Sequence, residues 1–469
     1  MKQFLPAFLL VCCMYFVGPQ VRLSAAERKP LNVLFIAVDD LNDWIQCLGG
    51  HPDTKSPHLD ALAGRGVLFE RAYCAAPACN PSRAALMTGI RPSSSGVYLN
   101  AQPWRPAMPE IVTLPQHFMR HGYRAVGGGK IYHGGFDDDA SWHEYFRKGS
   151  DPLPATRPVN GIPRTAHFDW GPVPVRDEQM NDHRVVDWAI GELRKSHDKP
   201  FFLACGIFRP HLPWYVPQKY FDMFPLDSIT LPKVRGDDLA DVPAAGKKMA
   251  KPDGDHRKVT QTNNWRRAVQ GYLASIAFAD AQVGRLIAAL DASDYADNTV
   301  VILWGDHGWH LGEKQHWRKF SLWEEADRAP LMIYVPGMTR SQGRCLRTVS
   351  FVDIYPTLAD VCGLPTPKHL EGRSLKSLLQ NPQAEWSYPA ITTHGKDNHA
   401  VRSERFRYIR YADGSEELYD HAKDPMEWTN LADDQTHRQT KVELAKWLPQ
   451  KNAPNAAMKK KPKQKQPKP

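Results

Sequence analysis

Three short apolar runs stand out along the chain, and each gives way to polar residues. Residues 32–38 (NVLFIAV) close on Asp39-Asp40, residues 201–206 (FFLACG) run toward Arg209-Pro210-His211, and residues 299–304 (TVVILW) close on Gly305-Asp306-His307-Gly308. Continuous, β-branched runs of this length, without polar alternation, predict strands buried on both faces of a mainly parallel sheet. Between them the period changes: Val269, Leu273, Ile276, Val283, Leu286, Ile287 and Leu290 recur at near-helical spacing across 265–290. Strand, helix, strand alternation predicts an α/β fold, a large mainly parallel central sheet flanked by helices. Its chemistry is expected at the sheet edge where the strands end.

Around residues 372–382 the pattern closes with a short amphipathic run (SLKSLL) and a loop, after which the composition changes. Residues 406–411, the Asp413-Gly414 turn and residues 417–419 predict an antiparallel hairpin. The chain is therefore read as a catalytic domain at 27–383 and a small C-terminal α+β subdomain with an antiparallel sheet at 384–450. A disordered Lys/Pro/Gln tail is assigned to 451–469, and no internal repeat is evident.

Composition changes this picture mainly at the ends. Lys2, the apolar stretch 4–17 and Ser24-Ala25-Ala26 read as a signal peptide over 1–26, which implies a secreted or periplasmic protein. The apolar stretch is shorter than the roughly 20 residues a spanning helix needs, so no stable membrane insertion is expected. The formal charge of +9 arises from the tail lysines together with Lys2 and Arg22, leaving the body neutral. A neutral body does not suit a nucleic-acid binder. Beyond the leader, Cys47, Cys74, Cys79, Cys205, Cys345 and Cys362 are scattered, with neither zinc-finger nor redox spacing.

Cys79 stands in the most specific segment, Cys79-Asn80-Pro81-Ser82-Arg83-Ala84-Ala85-Leu86-Met87-Thr88-Gly89. Pro81 suits the first turn of a helix, so residue 79 is expected at a helix N-terminus, where free N–H groups favour an anion. Arg83, four residues on, returns to the same face. Asp39-Asp40 and Asp306-His307 can converge on one sheet edge as an oxygen-rich set for a hard divalent cation, although an Asp at a strand end also serves as a cap or turn residue.

The C-x-P-S-R run resembles the signature of type I sulfatases, and the resemblance extends over nearly the whole chain through Ser56-Pro57-His58-Leu59-Asp60, Gly129-Lys130, Glu417-Leu418-Tyr419-Asp420 and Asp424-Pro425. It implies the alkaline-phosphatase-like fold and hydrolysis of a sulfate monoester. It also implies that Cys79 is oxidised by a formylglycine-generating enzyme to formylglycine (3-oxoalanine), whose hydrate attacks sulfur and later expels sulfate by re-forming the aldehyde. Asp39, Asp40, Asp306, His307 and residue 79 itself would then hold the cation, with Ca2+ favoured over Mg2+ or Mn2+. His307 stands where many relatives carry Asn, and this departure resembles the iduronate 2-sulfatase branch.

The same resemblance assigns Arg83 to the diol and sulfate, Lys130 to sulfate, His133 to the diol as a base, His211 to protonation of the leaving alcohol, and Lys319 to a bridge between sulfate and leaving group. A sulfated polysaccharide is the substrate it implies. Trp104, Arg105, Trp309, His394, Lys396 and Arg402 are candidate sugar or carboxylate contacts, since Trp stacks on rings and Arg pairs with carboxylates. A phosphate or phosphonate ester hydrolase of the same superfamily, and a catalytically silent glycan-binding protein, remain as alternative readings.

Overall fold

The computed structural model describes Met1 and residues 29–147, 149–163, 165 and 167–458. The expected signal peptide beyond Met1, and the tail from residue 459 onward, lie outside the described residues.

The central sheet is built from β1 (Asn32–Val38), β2 (Val67–Tyr73), β3 (Arg124–Gly129), β4 (Glu144–Phe146), β5 (Phe201–Ile207), β6 (Thr299–Gly305), β7 (Leu331–Tyr334) and β8 (Gly343–Ser350). Its spatial order is β8-β2-β7-β6-β1-β5-β3-β4. Only β7 runs against its neighbours; the remaining pairings are parallel. The fold is thus α/β with a large, mostly parallel sheet.

The three apolar runs are β1, β5 and β6, lying side by side at the sheet centre and buried along their whole length. Their residues alternate between two cores. Leu34, Ile36 and Val38 join Leu203, Leu303 and the helices α1 (Pro57–Arg65), α4 (Asn181–Leu193) and α5 (Trp265–Asp291) on one face. Val33, Phe35 and Ala37 join Phe202, Ile302 and the helices α2 (Cys79–Thr88), α3 (Leu114–Arg120) and α6 (Ile354–Val361) on the other. Each large apolar side chain so buried contributes about 1.5–3 kcal/mol, which explains why polar residues wait until the strands emerge at their carboxyl ends. Helix α5 is long and apolar enough to cross a membrane by composition, but in this fold it is mostly buried in the first core.

The C-terminal region holds a four-stranded antiparallel meander, β9 (Ala390–Thr393), β10 (His399–Arg402), β11 (Phe406–Arg410) and β12 (Glu416–Asp420). Ala400, Ile409 and Tyr419 pack on Leu322 and Trp323 of the larger unit. Val401, Tyr408 and Leu418 on the opposite face pack against Leu444 of α7 (Arg438–Ala445) and Leu448. The Thr393 N–H donates to Ala75 O at 2.9 Å, which joins the meander to the segment leading into α2.

One expectation needs correction. Residues 451–458, read as the start of a disordered tail, run back over the loop at 93–102, where Ala453 N donates to Ser93 O at 2.7 Å and Ala456 N to Gly96 O at 2.8 Å. Backbone hydrogen bonds hold this stretch to the loop while most of its side chains stay exposed.

Candidate active site

The carboxyl ends of β1, β3, β5 and β6 and the N-terminus of α2 open on one place. Cys79 is the first residue of α2, fully buried, and Pro81 and Ser82 complete the first turn. Ser82 Oγ donates to Asp306 O at 2.5 Å, so the helix start is tied to the end of β6.

Arg83 organises the acidic residues. Its Nη2 donates to Asp39 Oδ1 and its Nε to Asp306 Oδ2, both at 2.9 Å, with all three side chains fully buried. Its Nη1 donates to the carbonyls of Lys130 and Ile131. One guanidinium therefore cross-links three strand ends, a use of its planar fork that lysine cannot copy.

Asp40 is held in an unusual backbone state, with φ at +58°. Its N–H donates to Asp306 Oδ1 at 2.9 Å, and its carbonyl accepts from Tyr272 Oη at 2.7 Å. Non-glycine residues in the left-handed region are uncommon and cluster at functional sites. Gly129, at φ +79°, lets β3 close on β5: a Cβ there would lie 2.0 Å from Gly206 O. The next residue, Lys130, is thereby turned into the site.

Around the Cys79 sulfur stand Lys319 Nζ at 2.8 Å, His307 Nε2 at 3.5 Å, Lys130 Nζ at 3.8 Å and Asp40 Oδ1 at 3.9 Å. Lys130 also pairs with Asp39, and Lys319 with Asp40 at 2.5 Å. Burial alone would push the Cys79 thiol up, but the two ammonium groups more than offset it and hold its pKa below the ordinary value. Asp40 is pushed up to about 7 by burial, with Asp39 and Cys79 adding to the shift against the pull of Lys319. His307 is raised: burial disfavours its charged form, but Asp306 and the Cys79 sulfur together outweigh that.

These side chains fit a divalent cation. Asp40, Cys79, Asp306 and His307 each offer a donor atom within 4.8 Å of the others, as do Asp39, Asp40, Cys79 and His211. Asp40 Oδ2 is buried without a hydrogen-bond partner, a state that costs about 1–3 kcal/mol unless something else engages it.

His211 follows β5 between two cis peptide bonds, Arg209–Pro210 and Leu212–Pro213, and its Nε2 lies 3.8 Å from Asp40 Oδ2. Burial and Lys130 hold it well below its usual pKa. His133 is pushed down to about 4 by burial and by Lys130. The structure thus brings Asp39, Asp40, Cys79, Arg83, Lys130, His211, Asp306, His307 and Lys319 into one cluster, with His133 at its margin.

The expected sugar contacts divide differently. Trp104 is buried, stacked on Tyr132 at 5.1 Å, with its Nε1 donating to Phe136 O at 3.0 Å. Arg105 lies over that indole and pairs with Asp138. Both brace the loop that follows Lys130. Arg402 is buried and paired with Glu324 at 3.1 Å. Trp309 is buried beneath Lys319, whose Nζ is 5.4 Å from the ring centroid. In all four the aromatic and guanidinium groups that suit a sugar also serve packing and ion pairing within the fold. His394 sits 5.9 Å from the Phe320 ring beside the site, and Lys396 is exposed beyond it.

Sequence reading missed Tyr272 and Asn80. Tyr272 lies within the apolar stripe of α5 and carries no motif signal. Asn80 stands inside the signature segment, and its Nδ2 donates to Leu99 O and Gln102 O.

Comparison with known proteins agrees with this geometry. The sulfatase family model matches residues 31–364, and the model for the N-sulphoglucosamine sulphohydrolase C-terminal region matches residues 312–453. A sulfatase of Formosa agariphila is 40% identical over 450 residues, covering 91% of this chain and 87% of its own. Iduronate 2-sulfatase of Homo sapiens is 32% identical, covering 72% of this chain and 70% of its own. The solved phosphonate monoester hydrolase of Silicibacter pomeroyi shares the fold with a TM-score of 0.74 at 23% identity, covering 89% of this chain and 94% of that one.

Proposed function

Because this chain belongs to the sulfatase family, we propose that it removes sulfate from a sulfated polysaccharide or its oligosaccharides, using residue 79 after oxidation of its cysteine to formylglycine and calcium as the resident ion. The observation that carries the reading is the convergence on Cys79 of Lys130, Lys319 and His307, with Arg83 locking Asp39 and Asp306 behind them.

The buried thiol marks where the modified side chain would present its oxygens. When present, a formylglycine hydrate supplies the hydroxyl that attacks sulfur. The ion, when bound, supplies charge neutralisation at the sulfate oxygens and would be held by Asp39, Asp40, Asp306, His307 and residue 79. The chain's own cations do the rest. Lys130 and Lys319 both reach residue 79 and would hold the sulfate in line with it, and their charge matches that developing in the transition state. His211, reaching the cluster from the β5 end, is kept neutral by burial and Lys130 and would give a proton to the departing alcohol once the charge of a bound sulfate ester favours its protonated form. His133, kept neutral by burial and Lys130, can accept a proton from the hydrated side chain.

Support for a uronate-containing glycan comes from the human iduronate 2-sulfatase likeness and from His307 after Asp306. Hard oxygen ligands favour calcium, with Mg2+ or Mn2+ as the alternatives. The leader motif supports export to the periplasm or beyond, with modification of Cys79 by a formylglycine-generating enzyme.

A desulfation screen over defined sulfated oligosaccharides, run beside p-nitrophenyl sulfate and p-nitrophenyl phosphate, tests the proposal. Release of sulfate from a uronate-containing oligosaccharide, with little phosphate turnover, is the expected result. Preference for the phosphate ester would overturn it. Mass spectrometry of the peptide bearing residue 79 should show a loss of about 18 Da from the thiol form.

A further inference from the structure

We propose that residues 451–458 form a strap that positions the nucleophile, acting through Gln102 on Asn80, the neighbour of Cys79. The inference rests on residue 79 being the reacting group.

The strap is held by a set of hydrogen bonds to one loop. Beyond the two backbone bonds from Ala453 and Ala456, Tyr98 Oη donates to Ala453 O at 2.8 Å. Gln102 Nε2 donates to Asn455 Oδ1 at 3.2 Å and to Ala456 O at 2.9 Å. The loop is also shaped to receive it. Gly96 has φ +75°, and a Cβ there would lie 2.2 Å from Pro454 O, so no other side chain leaves room for the strap backbone.

Gln102 is fully buried and uses both ends of its amide. Its Oε1 accepts from Tyr98 N and Leu99 N, each at 2.7 Å, while its Nε2 serves the strap. The carbonyls of Leu99 and Gln102 then receive Asn80 Nδ2 at 3.0 and 2.7 Å, and Asn100 Oδ1 accepts from Asn80 N at 3.0 Å. That last N–H belongs to the first turn of α2, where no intrahelical acceptor exists. Ser82 and Arg83 fasten the same turn on its catalytic side. The strap therefore completes a two-sided grip on the residue next to the reacting atom. A shift of about 1 Å in such a group costs up to about a hundredfold in rate.

The test compares full-length protein, a chain ending at Met458, a chain ending at Gln450, and Gln102→Glu, which keeps the two acceptor bonds but loses both donors to the strap. Each is assayed on p-nitrophenyl sulfate, with kcat expressed per molecule carrying formylglycine as counted by mass spectrometry. Ending at Met458 should change nothing. Ending at Gln450 and Gln102→Glu should each lower kcat roughly tenfold with KM within about twofold, and combining them should add no further loss. A kcat unchanged in the Gln450 chain, a loss confined to KM, or additive losses in the combined variant would overturn the positioning role. Should the shorter chain fail to fold, Gln102→Glu and Asn455→Ala in the full chain decide by the same kcat and KM readings. Absence of turnover in the unaltered protein would instead sink the proposed nucleophile, so the two failures are distinguishable.

Discussion

Lys319 places its ammonium 2.8 Å from the sulfur of Cys79, across 240 residues of sequence. The backbone on both sides of it is left-handed, with φ +73° at Arg318 and +77° at Phe320. Such states cost about 1–3 kcal/mol each and persist only where the surroundings impose them. Here Phe320 N donates to Pro77 O at 3.1 Å, and His316 Nε2 meets Lys319 O at 2.7 Å, so the strained turn is pinned to the segment that leads into α2. Lys319→Met keeps the stem over Trp309 and removes the charge. It should lower kcat/KM by about 10²–10³ with an unchanged circular dichroism spectrum. A rate near that of the unaltered protein would remove Lys319 from the reaction.

Arg83 predicts a loss of a different kind. Arg83→Met leaves Asp39 and Asp306 buried without their shared partner, which should cost about 3–5 kcal/mol in a urea titration as well as abolish turnover. A midpoint of unfolding within error of the parent would show that the acidic residues do not depend on it.

His211 should matter in proportion to the leaving group. For His211→Ala, turnover of an activated nitrophenyl sulfate is expected to fall far less than turnover of a sugar sulfate, whose alkoxide needs a proton. Equal losses on both substrates would place His211 outside proton transfer.

Removal of the ion has a readout independent of catalysis. Chelation with excess EDTA should abolish activity and lower Tm, and added Ca2+ should raise Tm in step with concentration, because a ligand bound only by the native state stabilises it. Asp40→Asn, which weakens the donor set, should blunt that shift. A Tm indifferent to calcium would count against the Asp39, Asp40, Asp306 and His307 set.

Arg407 tests how the two parts of the molecule hold together. It is fully buried and pairs with Asp327, Glu324 and Glu427, joining β11 to the segment just beyond Lys319. Arg407→Met should destabilise the protein by about 3–5 kcal/mol by stranding buried carboxylates. Limited proteolysis should then cut first within the C-terminal meander, and cleavage beginning in the central sheet would contradict this account.

Much of the fold was legible because burial on both faces leaves a plain mark. The runs at 32–38, 201–206 and 299–304 contain no polar interruption, and each became a central strand that ends where its apolar run does or one residue later. The signature around Cys79 was equally legible, since Pro81 and the Arg83 spacing belong to one helical turn and need no partner from elsewhere in the chain. The hairpin near Asp413-Gly414 was readable for the same local reason.

Other features were decided only by tertiary contact. Trp104, Arg105 and Arg402 carry the chemistry of sugar recognition, yet their fates depended on whether Tyr132, Asp138 and Glu324 lay within reach. Residues 451–458 have the composition of a solvated tail, and only the distant glycine at position 96 makes room for them. Local sequence determined strands, helix starts and the place of Cys79 at a helix N-terminus, because periodicity and backbone constraint act over a few residues. Which distant side chains meet was set by the order of strands in the sheet and by mutual burial of charges, and those are properties of the folded chain as a whole.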